Sequence, residues 1–545
     1  MKATCLLLAS AGFASLAVAA PADGVWSAVL PLPLSPISGA NTPTGELLMW
    51  SGNSPGGWLS NMWDPQGNRT YYSVFSVDDF LAQKPIALQK MVTTEMFCPG
   101  TSNLPNGEIL INGGTGPIAS VIFNPTTKLF RDTTMMEIPR GYQANVVTTS
   151  NQVFTVGGSF EQRYGKFGLG GRDGELFTPG ANNGKGGWTM VPAAIGNVIG
   201  GLEGGSTNPD VQGLYRSDNH AWLFPYANTA GDAMVFHAGP IAKMHVINTS
   251  KNTMVAVGNR GNDAYAMNGN AVQYSPGRIY KSGGATAYGD LNSNVGLATS
   301  TAAYTIKITA LATGGLPIVK AAAPMNNPRA LGHHIVLPGG KIFIVGGQTN
   351  LYLFKDQTGV LEPELYDPAA GTYQRLAPMK IARNYHSLAL LTKYGTVFVG
   401  GGGAYPNTCT KPGVAPCTAN VHFDAEVFTP PYLSQGQARP TITSVTGAAA
   451  TYGKVFKLGT DMTVASTNCG GAGCSYELIR ISSATHSVAN DQLRVPLKTL
   501  ARSAAGDRVA PWDADQPFIV AGYYYLFAIG ANQTPSVATM IQVVR

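Results

Sequence analysis

The chain has 545 residues, 66 of them Gly and 36 Pro, and only 12% are Asp, Glu, Lys or Arg. That composition disfavours long solvent-facing helices, which rely on Glu, Lys and Arg. The formal charge of +6 is spread without runs, which argues against nucleic acid or a membrane surface as partner.

The chain opens MKATCLLLASAGFASLAVAAPADG. Lys2, an apolar run and the small residues Ala17-Val18-Ala19 before Pro21 read as a secretory signal peptide over 1–20. No later stretch is apolar enough to span a bilayer, so a secreted, extracellular protein is expected. Asn68-Arg69-Thr70 and Asn248-Thr249-Ser250 are glycosylation sequons.

From there a repeat dominates. Apolar strands end in paired glycines at 108–114 (EILINGG), 152–158 (QVFTVGG), 341–347 (KIFIVGG) and 396–403 (TVFVGGGG), more weakly at 278–284 (RIYKSGG). Each alternates with an aromatic-x-Pro signal, at Trp63, Phe123, Phe177, Tyr274, Tyr366 and Phe428. The period matches kelch-type propeller blades of about four strands. Six signals are visible, and the gaps of 97 and 92 residues around Tyr274 leave room for a degenerate copy. The expectation is an all-β protein: a seven-bladed kelch propeller over 21–435, then an immunoglobulin-like β-sandwich over 436–545.

Removal of the signal peptide takes Cys5 and leaves five cysteines. Proximity suggests Cys409–Cys417 and Cys469–Cys474, although four cysteines allow three connectivities. Cys98, in EMFCPG, is left over. It reads either as a buried inert thiol or as a reactive one.

Three stretches accompany it: PRGYQANVV around Tyr142, ARNYHSLALL around Tyr385 and His386, and SSATHSVANDQLRVPL around His486. Singly, each is explained by packing. Together, two imidazoles and two phenols suit Cu(II), which favours nitrogen and oxygen donors. Copper takes one electron, whereas oxidising an alcohol to an aldehyde removes two. A tyrosine linked to Cys98 through sulfur would hold the other.

Several strings, in order, carry a resemblance: MFCPG, RGYQ, YHS, LYRSDNHAWLF (214–224), HFDAEVF (422–428), ATHSVANDQLRVPL and PSVATMIQV. The sequence resembles the galactose oxidase family of copper radical oxidases along essentially all of the chain after the signal peptide. The resemblance implies one copper ion held by Tyr142, Tyr385, His386 and His486, with His486 on a loop of the C-terminal domain that reaches through the propeller channel. It also implies a Cys98–Tyr142 thioether as radical cofactor and Tyr385 as axial ligand and general base. Arg216 and Gln348 match sugar-contacting positions.

The departures concern substrate. Phe160 stands where the family has a stacking tryptophan, SGNSPGGW (51–58) is shorter than the family's loop, and the family's N-terminal carbohydrate-binding domain has no counterpart. Phe keeps a stacking face but loses the indole N–H. A broad primary-alcohol oxidase is expected, aliphatic or aryl, reducing O2 to hydrogen peroxide as a monomer, with a peroxidase as possible activator. The competing readings are a galactose or oligosaccharide oxidase, an aldehyde oxidase of the glyoxal type, and a secreted glycan-binding propeller without chemistry.

Overall fold

The computed structural model describes residues 21–52, 70–91, 94–158, 173–199, 220–262, 265–288, 296–353, 355–403, 421–471 and 473–545. Seven antiparallel blades of about four strands surround a channel, and an eight-stranded β domain follows. The inner strands of the blades are Ser38–Asn41, Gly100–Asn103, Ala144–Val147, Leu223–Ala227, Asn270–Ser275, Ala330–Val336 and Ser387–Leu391. The seventh blade is closed by the start of the chain: Val25–Trp26 pairs with Asp424–Thr429, placing Val25 opposite Thr429. The fourth blade is the degenerate copy, with neither a glycine pair nor an aromatic-x-Pro signal in its strands.

The glycine pairs have a steric purpose. Gly113–Gly114, Gly283–Gly284 and Gly346–Gly347 all have positive φ. The second glycine of each donates its N–H to an arginine carbonyl of the next blade: Gly114 to Arg140 at 2.9 Å, Gly284 to Arg329 at 2.9 Å and Gly347 to Arg383 at 2.7 Å. A Cβ on Gly113 would sit 2.5 Å from the Arg140 carbonyl oxygen, so no side chain fits at that step.

The arginines are buried and tied in turn to their own blade. Arg140 donates to Gly157 O at 3.0 Å and pairs with Glu175 at 2.5 Å; Arg329 donates to Gly346 O at 2.9 Å and pairs with Glu364 at 2.6 Å. Arg383 donates to Gly401 O at 2.9 Å and pairs with Asp424 at 2.6 Å. Each of these guanidiniums is fixed by carbonyls as well as by a carboxylate, the condition under which a buried charge is tolerated.

In the C-terminal domain the strand Gly522–Ile529 alternates faces with period two. Tyr523, Tyr525, Phe527 and Ile529 pack on the last two blades, against Phe343 and Val399. Tyr524, Leu526 and Ala528 enter the domain's own core with Val464 and Leu478. Cys469 and Cys474 form the expected disulfide; Cys409 and Cys417 lie outside the described residues. The Asn248 amide of the second sequon is buried and bonded to Asp232 and Lys251, a poor glycan acceptor. Among the described residues no helix is long and apolar enough to cross a membrane.

Candidate active site

One residue in each of blades two to seven adopts left-handed backbone near the start of the inner strand: Cys98, Tyr142, His220, Asn268, Leu331 and His386, with φ between 49° and 65°. Such φ values are costly for non-glycine residues and persist where the surroundings dictate them. Here neighbours share the work. Tyr142 N–H donates to Cys98 O at 2.9 Å, His220 N–H to Tyr142 O at 2.8 Å, and Leu331 N–H to Asn268 O at 2.7 Å. The result is a ring of side chains at the channel mouth. Arg140 and Arg383 fix the approach to two stations of it, since Tyr142 lies two residues and His386 three residues beyond its arginine.

The C-terminal domain completes the group from within the channel. Ser483–Thr485 and Val488–Asn490 form a hairpin whose turn is His486-Ser487, both at positive φ. Its first strand adds to the inner edge of the first blade, with Thr485 opposite Ser38 and Ser483 opposite Ala40. Side chains then fasten it around the channel: Ser38 Oγ to Thr485 Oγ1 at 2.7 Å, Thr101 Oγ1 to Ser483 Oγ at 2.8 Å, and Ser487 Oγ to Leu331 O at 2.9 Å.

Tyr142, Tyr385, His386 and His486 therefore meet, as their spacing in sequence could not have shown. The Tyr142 and Tyr385 hydroxyls are 3.0 Å apart. The His486 ring is 5.0 Å from the Tyr142 ring, 5.5 Å from Tyr385 and 5.2 Å from His386, centroid to centroid. All four are buried. Cys98 is a fully buried free thiol, hydrogen-bonded to the Tyr142 side chain and packed with Tyr142, Phe97 and Ile37.

Burial governs the protonation of these groups. It pushes the Tyr142 and Tyr385 phenols and the Cys98 thiol well above their ordinary values. It lowers His386 to about 3, with a hydrogen bond to Gly403 opposing, and holds His486 well below its ordinary value. Neutral imidazoles are the form a metal requires, and a divalent cation among the phenols would reverse the burial effect on them.

The donor chemistry fits copper. His386 Nδ1–H donates to Gly403 O at 3.0 Å, which leaves Nε2 unprotonated. His486 Nδ1 is 2.7 Å from Thr485 Oγ1, and its buried Nε2 has no hydrogen-bond partner among the described residues. No three His, Cys, Asp or Glu side chains cluster as a metal site among the described residues, so the donor set is the mixed one of two imidazoles and two phenols. That set suits Cu(II).

The comparisons with known proteins agree. A family model described as "Galactose oxidase-like, Early set domain" matches residues 439–543. Two galactose oxidases of Gibberella zeae are 33% identical to this chain over 96% of it and 71% of their own length. The chain belongs to the galactose oxidase family. A solved fungal alcohol oxidase of the AA5 family, in complex with copper, superposes with a TM-score of 0.78 at 29% identity, over 96% of this chain and 100% of that one. A more distant relative, the aldehyde oxidase GLOX1 of Arabidopsis thaliana, is 31% identical over 40% of this chain and 36% of its own. The match across galactose oxidases and a fungal alcohol oxidase makes this chain an oxidase.

Two neighbours of the galactose oxidase-type centre escaped the sequence reading. Tyr288 places its hydroxyl 3.2 Å from that of Tyr385, extending the pair to three phenols. His220 stacks on His486 at 5.3 Å and meets the Tyr142 ring edge-on at 5.3 Å. Tyr288 follows the weak glycine pair 283–284, as Phe160 follows 157–158, and that parallel was the available signal.

Gln348, expected at a sugar-contacting position, is fully buried. Its amide donates to Lys355 O at 2.7 Å and Gln357 O at 3.1 Å, and its carbonyl accepts from Tyr352 N–H at 3.3 Å, so it closes the loop that follows its strand. Phe160 and Arg216 lie outside the described residues.

Proposed function

We propose that the protein is a secreted copper radical oxidase that converts primary alcohols, aliphatic or aryl, to aldehydes, with reduction of O2 to hydrogen peroxide. The carrying observation is the convergence of Cys98, Tyr142, Tyr385, His386 and His486 in one buried cluster drawn from three parts of the chain.

His386 and His486 through Nε2, with the Tyr142 and Tyr385 oxygens, would hold the copper. When bound, copper supplies a one-electron acceptor and a Lewis acid for the alcohol oxygen. Cys98 and Tyr142 supply the complementary acceptor: a thioether between sulfur and ring delocalises the unpaired electron of an oxidised phenol. Tyr385 Oη takes the hydroxyl proton, and Tyr142 Oη takes a hydrogen atom from the carbinol carbon. The alcohol thus loses two electrons and two protons, which O2 carries away as hydrogen peroxide. Burial of the cluster shields an oxidised Tyr142 from water and reductants.

Copper-loaded, air-exposed protein is digested and its peptides weighed. The expected product is the Cys98 peptide joined to the Tyr142 peptide with the loss of two hydrogens. Recovery of the two peptides unlinked under all copper conditions would falsify the radical reading. Peroxide release on butanol, benzyl alcohol, galactose and methylglyoxal, with Tyr142→Phe as blank, then ranks the substrates. Galactose ahead of butanol would favour the sugar-oxidase alternative, and methylglyoxal ahead of both the aldehyde-oxidase one.

A further inference from the structure

The C-terminal domain carries a groove with no part in the chemistry above. Its volume is about 410 Å3 and it opens to solvent on the strand pair Arg494–Ala501 and Asp507–Pro511. That size is within the ~300–1,000 Å3 of small-ligand sites. Trp512 lines it and is 50% exposed. Lys498 Nζ stands 5.0 Å from the indole centroid. Asp461, Asp513 and Gln516 complete the polar wall, with Asp461 held by Arg508 at 2.8 Å and Asp513 Oδ1 held by Gln516 at 3.1 Å.

Each feature excludes a class of occupant. A half-exposed tryptophan is a large flat apolar surface left in water, which singles it out from scattered surface aliphatics. The apolar area is one indole with Leu500, Ala510 and Pro511 beside it, too little for an amphipathic helix, which needs a row of large anchors. Two carboxylates oppose an anion or a nucleic-acid backbone, and Lys498 opposes a metal cation. A neutral polyol with one C–H-lined face satisfies all three constraints: the ring face takes the C–H surface, while ammonium, carboxylate and amide take hydroxyls.

We infer that the Trp512 groove binds a neutral polysaccharide, one pyranose stacked on the indole and its hydroxyls held by Lys498, Asp513 and Gln516. The groove is built on the C-terminal sheet, outside the phenol–imidazole cluster, so it acts as an anchor rather than a substrate subsite. The inference stands whether or not the oxidase reading holds.

Affinity electrophoresis tests it. The full chain is run through gels containing hydroxyethylcellulose, xyloglucan, galactomannan or glycol chitin, beside Trp512→Ala and Asp513→Ala and against a polysaccharide-free gel. Retardation of the parent in at least one gel is expected, abolished by Trp512→Ala and weakened by Asp513→Ala, with thermal unfolding unchanged in both variants. No retardation in any gel overturns the inference. Equal retardation of the parent and Trp512→Ala overturns it too, since the sugar then binds elsewhere.

Discussion

Cys98 and Asn268 hold the same station three blades apart. Both have left-handed backbone, with φ of 60° and 59°. Each passes its carbonyl to the N–H of the residue two beyond the next blade's arginine, Tyr142 at 2.9 Å and Leu331 at 2.7 Å. The Cys98–Tyr142 pair is therefore an ordinary inter-blade step of the repeat with its side chains changed. The scaffold that brings sulfur to ring is already in place where the residues are Asn and Leu.

The arginine of that step is open to a direct test. Glu175→Ala removes the carboxylate 2.5 Å from the Arg140 guanidinium, which is buried with 0% exposure. Removing one partner of a buried pair costs about 3–5 kcal/mol. A matching fall in urea-unfolding stability is expected, and with it a lower yield of the Cys98–Tyr142 linked peptide, because Tyr142 lies two residues from Arg140. A stability change no larger than that of an exposed pair, such as Lys84–Asp79, would contradict this account of the repeat.

Acid should weaken the fold through buried histidines that are not among the donors. Burial holds His333 at about 3, and His237 and His334 well below 6.5. The unfolded chain takes up these protons below about 6.5 while the folded chain refuses them, so stability falls as pH drops from there toward 3 and is level above. Each histidine adds about 1.4 kcal/mol per pH unit within that window. Urea midpoints at pH 7, 6 and 5 should decline, less steeply in His333→Gln. An identical midpoint at pH 7 and pH 5 would count against it.

Thr485 orients a proposed ligand without touching the metal. Thr485→Val removes the 2.7 Å bond to His486 Nδ1 and the one to Ser38. Loss of such an orienting partner weakens metal binding by about 10–100-fold. Competition with a chelator of known affinity would measure it. Undiminished copper affinity would mean that the hairpin backbone alone sets the ring.

Phe160 is the proposed selector between sugars and simple alcohols. Phe160→Trp restores area and an N–H donor, and the ratio of kcat/KM on galactose to that on butanol should rise. An unchanged ratio would remove Phe160 from the selectivity argument.

Much of this architecture was legible because the repeat has a steric cause. A glycine pair is needed wherever the next blade's arginine carbonyl comes close, and Arg-x-Tyr marks the approach to two of the stations. The strands of the fourth blade were not legible, since they are held by ordinary apolar burial, with Phe236 and Ile247 fully buried and a lone Gly239-Pro240 turn between them instead of a glycine pair. His220 and Tyr288 reach the cluster from loops, where sequence period carries no information about direction. The surroundings of Gln348 were hidden for a related reason: its place after a glycine pair marks the channel mouth, but only coordinates reveal that its amide bonds its own loop.

The hairpin at 483–490 also gives the centre a birth order. The first blade borrows its innermost edge from a segment made almost last, and the seventh borrows its outermost strand from one made first. In the proposed reading, a nascent chain that has not yet emitted His486 carries three of the four donors and lacks the hairpin that lines the channel. Termination upstream of that hairpin would then leave the ring without its fourth donor, and the proposed activity would arrive only after the propeller is made.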